Sequence, residues 1–156
     1  MTRISYKDIA PGAYQAMLGL ERYVRESGLD YTLLELVRTR ASQLNGCAFC
    51  LDMHTKDAIA AGDTPQRLLV LPAWRDAPFY TARERAALAW TEAVTQLGPG
   101  GVSDELFRTT SEQFDERQLV DLTMAIVAIN GWNRLAIAFH SPEAGSHVPV
   151  ARTPLR

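Results

Sequence analysis

The sequence predicts an all-α protein of one domain, a helical bundle that assembles as a homo-oligomer. Three observations carry this. Strand-like alternation is scarce along the 156 residues. Helix starts and stops recur instead, as capping side chains ahead of apolar stripes and glycines or prolines behind them. One long segment near the C-terminal end is apolar nearly all round, a pattern that belongs at a bundle centre or in a subunit interface.

Each element has its own signals. A first helix is expected from Pro11 or Gly12 to about Ser27, with Met17, Leu18, Leu20 and Val24 inward and Gly28 as its stop. Asp30 can cap a second, whose stripe of Leu33, Leu34, Leu36, Val37, Ala41 and Leu44 ends at Gly46. A third opens at Cys47 and runs to Ala61, before Gly62. Thr64-Pro65 starts a short helix that Pro72 should end, because proline suits a first turn but cannot continue one. After a loop holding Trp74 and Pro78, Thr81 and Glu84 form a capping box for a helix through Leu97. Gly98-Pro99-Gly100-Gly101 is a break. Ser103 caps a helix to about Phe114, and Asp115 with Gln118 caps the long apolar one to about Phe139. The tail 141–156, with three prolines, reads as extended and suited to packing on a neighbouring chain.

Composition narrows the function. Apolar residues are 47% and charged residues 22%, with a net charge of −2, an ordinary globular balance. The basic residues are scattered, which argues against nucleic-acid and membrane-surface partners. The opening stretch holds no apolar run of signal-peptide length, and the longest apolar run, Met124 to Ile129, falls short of a bilayer span. A cytoplasmic protein is expected.

In a reducing compartment, two cysteines separated by two residues are a poor staple, because closing so short a loop removes little unfolded-state entropy. At helical spacing their Cα atoms stand roughly 5 Å apart, within the range of a disulfide. Both sit at a helix N-terminus, where free N–H groups favour a thiolate. His54 follows Cys50 by one turn, where an imidazole can take up or return the thiol proton. A zinc site would need four ligands, and no second cysteine pair exists. No metal and no cofactor are expected. Trp74, Trp90 and Trp132 read as core or interface residues, while Asn130, Asn133 and Arg134 line the site or hold an interface and are left unassigned.

Glu35, then eleven residues, Cys47, two residues, Cys50, three residues and His54 form a pattern that resembles the AhpD-like alkylhydroperoxidases of the carboxymuconolactone decarboxylase superfamily. The segments Glu84–Trp90 and Asn130–Arg134 are also similar. The motif-bearing core spans about residues 20–100. The resemblance implies an AhpD-like bundle, further assembled into trimers or hexamers, and a thiol-dependent reduction of hydroperoxides. By that resemblance Cys50 attacks the peroxide and becomes a sulfenic acid, Cys47 resolves it to a disulfide, and Glu35 and His54 relay the proton. Electrons come from an external dithiol, such as a lipoyl-bearing protein. Peroxidase members carry a histidine immediately before the second cysteine, and here that position is Phe49. The residues alone leave open a second function, a redox-responsive sensor or disulfide reductase that uses the same pair without peroxidase turnover.

Overall fold

In a computed structural model that describes residues 2–149, the chain is all-helical, with eight α-helices among the described residues. They are α1 (Tyr6–Ile9), α2 (Pro11–Glu26), α3 (Tyr31–Asn45), α4 (Ala48–Ala60), α5 (Pro65–Val70), α6 (Ala82–Thr95), α7 (Asp104–Ser111) and α8 (Glu116–Phe139). The expected caps form. Asp30 accepts from the Leu33 amide at 3.0 Å, and Thr81/Glu84 and Asp115/Gln118 close reciprocal capping boxes.

The differences are local. α1 was not expected: its N-cap Ser5 makes no side-chain cap bond and the helix buries nothing. Pro72 does not end helical geometry, because a 3₁₀ turn over Leu71–Ala73 continues α5 with the proline in its first positions. α6 stops at Thr95 and α7 at Ser111, each two to three residues before the expected end.

The bundle is organised round α3. Every residue from Leu33 to Thr39 is buried, the charged Glu35 and Arg38 included. A run of that length cannot lie on one face, so α3 is enclosed on all sides, and it packs against α4, α6 and α8. It contributes to all three apolar clusters: with α2 and α8 through Leu33, Leu34 and Val37, with Leu71 and Leu88 through Leu36, and with the cysteines through Ala41.

α8 is both a core helix and a surface one. It buries Leu122, Ile126 and Ile129 while leaving Val120, Val127 and Ile137 exposed. Its most apolar 18 residues have a mean hydropathy of 1.3, enough by length and composition to cross a bilayer. Yet it buries Asp121 and Asn133 among hydrogen-bond partners, as a bundle helix does.

The described part of the tail packs on its own chain. The Gly145 amide donates to Asp52 Oδ2 at 3.0 Å and Lys56 Nζ to the His147 carbonyl at 3.1 Å, which straps residues 145–147 along α4. Residues 150–156 lie outside the described residues.

Candidate active site

The hinge between α3 and α4 sets the cysteines. Gly46 ends α3 in the left-handed conformation (φ 70°), and the Cys47 amide turns back to donate to the Ser42 carbonyl at 3.0 Å. That reversal makes Cys47 the N-cap of α4, where its sulfur accepts from the Cys50 amide at 3.3 Å. The Cα atoms of Cys47 and Cys50 are 5.3 Å apart and the two sulfurs lie at bonding distance. The junction is held from behind by amides. Asn45 Nδ2 donates to Asn130 Oδ1 at 2.9 Å and to Asn133 Oδ1 at 2.8 Å, and Asn133 Nδ2 donates to Ser42 Oγ at 3.1 Å. Asn130 and Asn133 therefore hold the hinge.

Cys50 lies in the wall of a cavity of about 870 Å³, and Cys47 does not. The cavity also reaches Glu35, Arg38, His54 and Asp57, and its apolar wall includes Leu18, Leu34, Phe49, Met53 and Trp132. Trp132, expected in core or interface, thus faces the cavity, and its Nε1 donates to Glu21 Oε1 at 3.1 Å. Trp74 and Trp90 are core residues. Phe49 packs against the apolar cluster that holds both cysteines.

The polar side of the cavity is a chain of charged groups running inward from α2. Arg38 donates through one terminal nitrogen to Glu21 Oε2 and through the other to Glu35 Oε1, both at 2.8 Å. Glu35 Oε2 meets His54 Nδ1 at 2.7 Å. Burial alone would push the Glu35 carboxyl up, but hydrogen bonding and charge from His54 and Arg38 outweigh it and hold it below the usual carboxylate range. An ionised Glu35 can only accept, so Nδ1 of His54 carries a proton and donates. That fixes the tautomer and leaves Nε2 for chemistry. Burial acts to lower the Arg38 pKa, and the charges of Glu21 and Glu35 more than reverse it.

Of the four residues singled out from sequence, Glu35, Cys50 and His54 therefore line the cavity, Cys47 stands outside its wall at bonding distance from Cys50, and a fifth residue joins them. Glu35, His54 and Asp57 bring donor atoms within 4.8 Å of one another. Asp57 is legible in the sequence after the fact: Cys50, His54 and Asp57 fall at i, i+4 and i+7, one stripe of α4. The trio has ligand chemistry for a divalent ion, but Glu35 is already neutralised by Arg38 and engaged by His54. A metal there would face the guanidinium at close range, so the donor set fits a proton relay better than a metal.

Comparisons with known proteins agree with this architecture. The model of the carboxymuconolactone decarboxylase family matches residues 11–93. YdfG of Bacillus subtilis (strain 168), an uncharacterised protein, is 46% identical over 136 residues, which is 87% of this chain and 92% of YdfG. The crystal structure of an Agrobacterium tumefaciens protein of unknown function, described as a candidate antioxidant defence protein AhpD, superposes with a TM-score of 0.87 at 43% identity. That match covers 91% of this chain and 97% of the other. A debrominase crystallised with 2,3,4-tribromopyrrole shares the fold at TM-score 0.76 and 20% identity, over 86% of this chain and 72% of its own. The chain belongs to the carboxymuconolactone decarboxylase family and has an AhpD-like fold.

Proposed function

We propose that the chain is a thiol-dependent peroxidase that reduces organic hydroperoxides through a Cys47/Cys50 dithiol–disulfide cycle. The observation that carries this is the asymmetry of the pair: Cys50 lines the cavity beside His54 while Cys47 stands behind it as the helix cap. A substrate in the cavity meets one sulfur, and the second waits at resolving distance. His54 Nε2 takes the Cys50 thiol proton, the thiolate attacks the outer peroxide oxygen, the O–O bond breaks, and the departing alkoxide takes the proton back from Nε2. The Cys47 thiol then attacks the Cys50 sulfenic acid, forming the S–S bond and releasing water. The apolar wall of Leu18, Leu34, Phe49 and Met53 favours a hydrophobic alkyl or aryl group on the peroxide.

Electrons return from an external dithiol, a lipoyl-bearing protein in this reading, and a reducing cytoplasm is the compartment that keeps such a donor charged. Stopped-flow mixing of reduced protein with cumene or tert-butyl hydroperoxide tests the proposal, with tryptophan fluorescence as the signal. Disulfide formation that is saturable and at least 100-fold faster than with a free dithiol, roughly the contribution of one placed acid–base group, is expected. A rate no faster than that of the free thiol removes the peroxidase and leaves a redox sensor or a disulfide reductase.

A further inference from the structure

We propose that Asp57 and His147 form the route by which His54 exchanges protons with solvent, so that the C-terminal strap serves turnover as a positioning element. The proposal rests on the peroxidase reading above. His54 and Glu35 are both buried, and the cavity beside them is the space a hydrophobic substrate fills. Asp57 stands one turn further along the same face of α4, its carboxylate within 4.8 Å of the donor atoms of the other two. His147 Nε2 donates to Asp57 Oδ1 at 2.8 Å. Side-chain exposure rises along this chain, from 1% at Glu35 and 8% at His54 to 19% at Asp57 and 21% at His147. The order runs from the site to the surface.

The cycle must return one proton to His54 in each turnover. In the oxidative half, one proton passes from His54 to the alkoxide, and the Cys47 proton leaves in water. In the reductive half, a donor dithiol becomes a disulfide and gives up two protons. One returns to Cys47 as Cys50 is released as thiolate, and the other must reach His54. Peroxide and dithiol thus yield alcohol, water and donor disulfide in balance, and the donor's second proton, released to solvent, is the one that Asp57 and His147 carry to His54. An imidazole is suited to pass it on, since it binds a proton at one nitrogen and releases one from the other.

The strap is held where this requires. Lys56 binds the His147 carbonyl and Asp52 binds the Gly145 amide. Round His147 stand the charged groups Asp57, Lys56 and Asp52 of α4. Glu35 and Arg38 of α3 stand behind His54.

Two variants separate transfer from packing. His147→Gln keeps a nitrogen donor for Asp57 and so keeps the strap, but it cannot relay a proton; His147→Ala loses both. Each half-reaction is measured alone: oxidation of pre-reduced protein by cumene hydroperoxide, and reduction by dithiothreitol of protein oxidised beforehand with diamide. The expected result for His147→Gln is unchanged single-turnover oxidation and reduction slowed about tenfold, with His147→Ala restored toward wild type by added imidazole. Reduction of His147→Gln at the wild-type rate, or no response of His147→Ala to imidazole, overturns the proposal. Because the reductive half uses no peroxide, a wild-type protein inert to peroxide would refute the peroxidase reading through the other measurement alone.

Discussion

Replacing Arg38 with methionine would remove the cation that sits between two carboxylates inside the bundle. Methionine matches the stem of the side chain, so the change is chiefly one of charge. Glu35 would stay ionised and buried with His54 as its remaining partner, and Glu21 would keep Trp132. Breaking a buried pair from one side costs about 3–5 kcal/mol. Arg38 Nε is itself buried without a partner, so its removal returns part of that cost and sets the expectation near 3 kcal/mol. For a chain of this size that is a fall in Tm of roughly 10 °C. The pH dependence is the sharper test. Glu35 in the native protein titrates below its unfolded value, so its contribution is present at neutral pH and fades as pH drops through that lowered value. In the variant, burial is opposed less, the carboxyl rises, and protonation relieves the penalty. The gap between the two proteins should therefore be widest at pH 7 and narrow toward pH 4. Urea unfolding at fixed protein concentration, read by tryptophan fluorescence, measures it. A loss under about 1 kcal/mol at pH 7, or an equal loss at pH 4, would refute the account, since coupling of buried charges is its whole basis.

Three further outcomes are expected. Cys47→Ser should leave a dimedone-reactive sulfenate at Cys50 after one equivalent of peroxide, whereas Cys50→Ser should not react; the reverse pattern would exchange their roles. Gly46→Ala meets no neighbour within 4 Å at its Cβ, so its cost is the left-handed backbone alone. That is about 1 kcal/mol, seen as a drop of roughly 3 °C in a thermal melt, and an unchanged Tm would show that the hinge can shift instead. The exposed apolar side chains Val120, Val127 and Ile137 of α8 favour association of copies. Sedimentation should give a multiple of 17.3 kDa at micromolar concentration, reduced by Val127→Glu; a monomer throughout would remove the homo-oligomer.

The helix boundaries were readable because each cap is a bond between residues three apart. Asp30, Thr81 with Glu84, and Asp115 with Gln118 announce themselves in any window of that width. α1 has no such bond to read. The environment of α3 was the harder case. Its apolar positions fit a stripe, and a stripe by itself implies a wet opposite face on which Glu35 and Arg38 would be surface charges. They are internal because α4, α6 and α8 surround the helix, and their partners are Glu21 and His54, both more than a dozen residues distant. The same limit hid Asp57: its phase with Cys50 and His54 is local, but its bond to His147 spans ninety residues.

The two cysteines are fixed by different means, and their chemistry is separable for that reason. Cys47 is placed through backbone, by the left-handed Gly46 and the Ser42 carbonyl, with Asn45 and Asn133 pinning the hinge to α8. Cys50 is placed by its position on α4, and its neighbours His54 and Asp57 are held by side chains from α3 and the strap. Loosening the amide junction should alter how well Cys47 reaches Cys50, leaving the first attack on peroxide intact. Loosening Arg38 or the strap should act on the proton and leave the sulfur–sulfur distance unchanged. Phe49 packs on the apolar cluster that holds both cysteines while lining the cavity. An apolar ring there cannot carry a proton, so in the peroxidase reading the proton passes by His54, Glu35 and Asp57, which line the same cavity.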